Sequence, residues 1–165
     1  MVHSAYDAVE LVSGVPGDIV AVAAYAGRLL VAGKDGSLRI YASPGHAGGG
    51  IPRDGPYALE RQQPSLWRRG TPLAMEVSAG RELLLSLAEC VNLHRLPGLE
   101  TVAVIGKTKG ANLFAWDDRR GLLAVGRWKR LTIFRLDNEN SAALPIRFRC
   151  DLSVCGDDLT VTSFG

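Results

Sequence analysis

The sequence predicts an all-β fold, a partial β-propeller of about three antiparallel four-stranded blades, on three observations. One phrase occurs three times: an apolar strand, a short turn, then a strand with apolar residues two apart. Measured from Leu38 to Val91 and from Val91 to Leu131, its copies stand 53 and 40 residues apart, and propeller blades of four strands repeat every ~40 to 50 residues. The apolar runs are short, partly β-branched and punctuated by Gly, which fits a helix poorly.

In the first copy, residues 19–24 form a short apolar run and residues 28–33, opened by Gly27, a continuous apolar strand. Lys34-Asp35-Gly36 is a tight hairpin turn, because Gly takes positive φ readily. Residues 37–41 then alternate, as a half-buried strand must. The second copy has strands at 73–77, 82–87 and 90–94, and the third at 111–116, 121–126 and 130–134. The apolar pairs two apart are Leu38 and Ile40, Val91 and Leu93, Leu131 and Ile133. Fourth strands are expected at 57–61 and 101–105. The longer first period comes from residues 43–56, whose Gly and Pro content predicts a flexible loop, and from the polar stretch 62–70 around Leu66 and Trp67. Blades are thus expected near 19–61 and 72–105, with a third starting near Ala111.

Residues 1–136 read as N-terminal blades and 137–165 as a divergent tail, in which Ser153-Val154-Cys155-Gly156-Asp157 echoes the start of a further blade. Three units do not close a ring that typically has four to eight blades. The chain therefore reads as a fragment or truncated form, expected to be marginal in isolation.

Composition narrows the function. Hydrophobic residues make up 47% of the 165 and charged residues 22%, which excludes disorder throughout. Nineteen Lys and Arg against 17 Asp and Glu leave a net charge of +2, so no nucleic acid is expected as a partner. Cys90, Cys150 and Cys155 are too few and too scattered for a disulfide framework or a zinc site. The N-terminal sequence has no basic and apolar signal segment, and no apolar run approaches the roughly 20 residues that span a bilayer. A cytoplasmic protein, touching membranes through partners, is the expectation.

No constellation carries chemistry. Gly106-Lys107-Thr108 resembles the end of a phosphate-binding loop, but the Gly needed five residues earlier is Thr101, so a connector between blades is expected. Gly48-Gly49-Gly50 reads as a linker. Trp116-Asp117 precedes a turn, with Trp116 expected to pack and Asp117 and Asp118 to bond nearby backbone N–H groups. His3, His46 and His94 have no Ser, Cys or carboxylate set beside them by spacing, and His94 reads as a strand histidine. No cofactor and no metal are expected. One cluster suggests a partner surface: Arg119, Arg120, Arg127, Trp128, Lys129 and Arg130. Its two turns flank one strand and lie at opposite ends, so it forms no single compact pocket. It reads either as turn solvation or as contact with an acidic partner or anionic headgroups.

Several strings in order resemble one family: Met1-Val2-His3 with Ala5-Tyr6-Asp7, Asp35-Gly36-Ser37-Leu38-Arg39-Ile40-Tyr41, and Ala74-Met75-Glu76-Val77 leading to Arg81-Glu82-Leu83-Leu84-Leu85-Ser86-Leu87. His94, Leu96-Pro97, Leu99-Glu100-Thr101-Val102-Ala103-Val104-Ile105, Lys107-Thr108-Lys109-Gly110-Ala111-Asn112 and Trp116-Asp117-Asp118-Arg119-Arg120-Gly121 continue it. Over residues 1 to about 136 the chain is similar to the N-terminal citron-homology (CNH) domains of plant Vam-type HOPS tether subunits. The resemblance implies a non-catalytic β-propeller interaction domain, followed in full-length members by an α-solenoid. It implies other HOPS-type subunits, and a Rab GTPase, as partners in endosome-to-vacuole transport and fusion. It places the protein peripherally on late endosomes or the vacuole. Two alternatives from other classes stay open: a propeller that binds anionic lipid or RNA through its basic turns, and an enzyme with a site lining the channel.

Overall fold

The computed structural model describes residues 10–43, 56–67 and 70–136, together with the backbone of 148–155 and 158–162. His3, His46, the triple glycine at 48–50, most of the 43–56 loop and the side chains of Cys150 and Cys155 lie outside the described residues.

The first sheet is an antiparallel meander of β1 (Ile19–Tyr25), β2 (Arg28–Gly33), β3 (Leu38–Ala42) and β4 (Ala58–Gln63). The second repeats it with β5 (Ala74–Ser78), β6 (Leu83–Leu87), β7 (Val91–Arg95) and β8 (Thr101–Ile105). The third opens with β9 (Leu113–Asp117), β10 (Leu122–Arg127) and β11 (Arg130–Leu136). From the segment set apart as a divergent tail, β12 (Phe148–Cys155) pairs antiparallel with β11, and β13 (Asp158–Thr162) lies beyond it. The fold is all-β, as the sequence predicts: a partial propeller of antiparallel blades. Innermost strands adjoin, β1 against β5 and β5 against β9.

The turns are set by local chemistry. Ala26 and Gly27 both take positive φ, +47° and +72°, the twist a two-residue hairpin needs between β1 and β2. Gly36 sits at φ +79° in the turn before β3, and there the Asp35 carboxylate accepts bonds from the Ser37 N–H (3.0 Å) and hydroxyl (2.6 Å). Those two bonds, the hydroxyl's being the stronger, hold the Asp35 carboxyl down at about 2. The same carboxylate pairs at 2.9 Å with the buried guanidinium of Arg39.

A further regularity marks the blades as copies. The outer pairings β3–β4, β7–β8 and β11–β12 each shift register at one equivalent place, after Ile40, Leu93 and Ile133. A bulge bends its strand and increases the local twist, so the outer strand of each blade bends at the same point.

Two cores hold the sheets together. Leu30, Ala32, Leu38 and Ile40 of the first sheet meet Met75 and Leu84 of the second, with Leu66 and Trp67 filling the space between. On the other side, Leu83, Leu85, Leu87, Val91 and Leu93 meet Leu123, Val125 and Phe134 of the third sheet. The second sheet is covered on both faces, so β6 is buried throughout and is apolar except for Ser86. Each fully buried Leu contributes about 1.5–3 kcal/mol. The apolar pairs follow this order. Leu38, Ile40, Val91 and Leu93 are buried, whereas Leu131, the equivalent position of the third sheet, is 44% exposed. Leu113 beside it is 56% exposed, and its side chain lies over Gly126, where a Cβ would stand 2.5 Å from it.

Candidate functional site

The basic residues singled out in the sequence divide between the two ends of β10. Arg119 and Arg120 lie in the β9–β10 turn, which is knitted to the second sheet. The Asp117 carboxylate accepts the Arg120 N–H at 3.0 Å. Asp118 accepts bonds from the Ser78 hydroxyl, the Arg81 guanidinium (2.7 Å) and the Trp116 indole N–H (3.3 Å). Those bonds, the Ser78 one foremost, lower the Asp118 pKa. Arg81 stacks 5.6 Å from the Trp116 ring. This end is a clasp between blades, in which aspartates offset the cations.

The opposite end differs. Arg127 closes β10, Trp128 and Lys129 form the turn, and Arg130 opens β11. Trp128 is 94% exposed and holds φ at +54°, a left-handed conformation that a bulky side chain rarely adopts. Beside this turn lies a small cleft of about 60 Å³, lined by Lys107, Thr108, Ala111, Val125, Arg127, Arg130, Thr132 and Phe134. Among the described residues, three lining side chains are cations and none is a carboxylate. Arg127 is held in place by donating to the Lys109 carbonyl at 3.0 Å, while the Lys109 ammonium pairs with Glu89 at 2.8 Å.

Lys107 was read from the sequence only as part of a connector. Its turn, a single 3₁₀ turn over Gly106–Thr108, follows β8 and brings it against the neighbouring blade. Thr108 is buried, donates to the Ile105 carbonyl at 2.6 Å and accepts the Val91 N–H at 2.8 Å. Its hydroxyl fastens this turn to β7, which is a structural use of the Gly-Lys-Thr string. No signal in the local sequence points from Lys107 to Arg127 and Arg130, because their meeting is made by blade-on-blade packing.

His94 is 1% exposed, with Nδ1 3.2 Å from the Thr101 hydroxyl and its ring edge-on to Trp67 at 6.5 Å. Burial pushes its pKa down to about 4, so it is neutral near pH 7. It is a core histidine packed between Trp67 and β8. Among the described residues, no group of three or more His, Cys, Asp and Glu could hold a metal ion, and no helix is long and apolar enough to cross a membrane.

No protein-family model matches the sequence. The chain is 47% identical over 140 residues to vacuolar sorting protein 39 of Arabidopsis thaliana. That match takes in 83% of this chain and 14% of the relative, so the chain spans a small part of the relative's length. Two solved structures share the fold at low identity. The computationally designed Ika4 protein superposes with a TM-score of 0.57 at 13% identity, covering 96% of this chain and all of that one. The designed Ika8 protein superposes with a TM-score of 0.55 at 14% identity, covering 92% of this chain and 47% of the other.

Proposed function

We propose, from the premise that this is a vacuolar sorting protein 39-like chain, that it is a non-catalytic protein-interaction domain of a HOPS-type vesicle tether. In this reading its blades are part of a longer citron-homology propeller and act in transport from late endosome to vacuole. The observation that carries the proposal is the 47% identity over 83% of the chain. The structure adds support of a physical kind. Two buried serines bond across blade boundaries, Ser86 with Trp67 and Ser78 with Asp118, and Thr108 ties its turn to β7 within the second blade. Leu131 of the third blade is 44% exposed at the position where Leu38 and Val91 of the first two blades are buried against their neighbours. Partners in this reading are the other tether subunits and a Rab GTPase, with peripheral attachment to the membrane through them.

The test is co-precipitation of the tagged chain with individually expressed tether subunits and with a vacuolar Rab GTPase in its two nucleotide states. Saturable capture of a tether subunit, reduced at least tenfold by Leu131→Asp with Ile133→Asp, is the expected result. A well-folded chain that captures none of them would refute the proposal.

A further inference from the structure

We propose that the β10–β11 hairpin tip and the cleft beside it form a site for the phosphorylated headgroup of an anionic lipid. This assignment is independent of the tether reading, because it concerns direct contact of this chain with a bilayer. Three observations meet here. Among the described residues the cleft has three cations from two blades, Lys107, Arg127 and Arg130, and no carboxylate in its lining. Ala111, Val125 and Phe134 line it beside the cations, so an anion seated there is screened less than one on an open surface. At the apex, Trp128 is 94% exposed and sits at φ +54°.

The tryptophan decides the ligand class. Gly or Asn would satisfy this turn without strain, and among the described residues the indole is left 94% exposed. A large, exposed aromatic side chain in a strained conformation is a feature that the fold itself does not require. An indole has an apolar body and a polar N–H, and it partitions to the headgroup layer of a bilayer. Flanked by Arg127, Lys129 and Arg130 at the hairpin turn, it combines an interfacial aromatic with cations, the chemistry that meets an anionic surface. An acidic protein segment would need only the cations. The geometry therefore favours the lipid headgroup, with phosphate in the cleft and Trp128 in the interface.

The experiment uses the full chain with phosphatidylcholine vesicles, with and without phosphatidylserine or a phosphatidylinositol phosphate. Sedimentation and tryptophan fluorescence are read together. Trp67 and Trp116 are buried or half-buried, so a blue shift reports mainly on Trp128. At least tenfold tighter binding to the anionic vesicles, with a blue shift, is expected. Trp128→Ser should remove the shift and weaken binding about tenfold. Lys107→Glu with Arg130→Glu should abolish binding, with an unchanged circular dichroism spectrum as the folding control. Soluble inositol phosphate and polyglutamate serve as separate arms. Equal binding to neutral vesicles, insensitivity to Trp128→Ser, or binding of the soluble anions without vesicle binding would each overturn the proposal.

Discussion

The indole N–H of Trp67 donates to the hydroxyl of Ser86 at 2.8 Å, in the core between the first two blades. Trp67 belongs to the connector after β4, and Ser86 is the one polar residue in β6. The bond ties a segment with no regular structure of its own to the centre of the next sheet. Removing the acceptor leaves a buried donor without a partner, which costs about 1–3 kcal/mol. Ser86→Ala is therefore expected to destabilise the chain by about 2 kcal/mol, and Trp67→Phe with Ser86→Ala by less than the sum of the single changes. A double-mutant cycle in urea measures this, and strict additivity would deny the bond its role.

The repeat makes a second prediction. Leu85 is fully buried between the second and third blades, and Leu131 is 44% exposed on the open face of the third. Leu85→Ala is expected to cost about 2–5 kcal/mol through lost burial and the cavity left behind. Leu131→Ala is expected to cost less than about 1 kcal/mol in the free chain, because that side chain has little burial to lose. Comparable losses at the two sites, measured by chemical denaturation, would mean that the open face is covered.

Thr108 offers a third. It satisfies the Val91 N–H and the Ile105 carbonyl from a buried position. Thr108→Val keeps the shape and deletes both bonds, so a loss of about 1–3 kcal/mol is expected, accompanied by faster exchange of the Val91 amide. Protection of that amide equal to the parent's would contradict the fastening of this turn to β7.

His94 sets a pH dependence. Its folded pKa lies near 4, below the ordinary 6.5, because burial disfavours the charged ring. The unfolded chain thus binds the proton first as pH falls. The histidine's contribution to stability is complete above about 6.5 and is lost progressively toward about 4. One pKa unit corresponds to about 1.4 kcal/mol, so the loss across that window approaches roughly 3 kcal/mol. His94→Gln is expected to flatten the fall of the denaturation midpoint between those pH values. A variant whose profile runs parallel to the parent's would contradict the assignment.

The strands were legible because alternation and short apolar runs are local signals. Leu38 and Ile40, or Val91 and Leu93, announce their face by spacing alone, and the Asp35-Gly36 turn announces the hairpin. The two ends of β10 were also legible, since Arg119 and Arg130 are separated by one strand. What the sequence could not supply is contact between blades. Lys107 and Arg127 stand 20 residues apart in different sheets, and only packing brings them to one cleft. Arg81 reaching across to Asp118, and Trp67 reaching Ser86, are hidden for the same reason: propeller blades exchange side chains through their faces, where sequence separation carries no signal.

The proposed tether role has these blades replace the corresponding part of a vacuolar sorting protein 39 subunit. Its most direct measurement is exchange of residues 1–136 for the matching region of the Arabidopsis relative, in plants lacking that relative. The account predicts that the chimera restores delivery of a vacuolar cargo and that Leu85→Asp, which unfolds the blades, abolishes the rescue. A chimera that accumulates normally and leaves the cargo mis-sorted would contradict it.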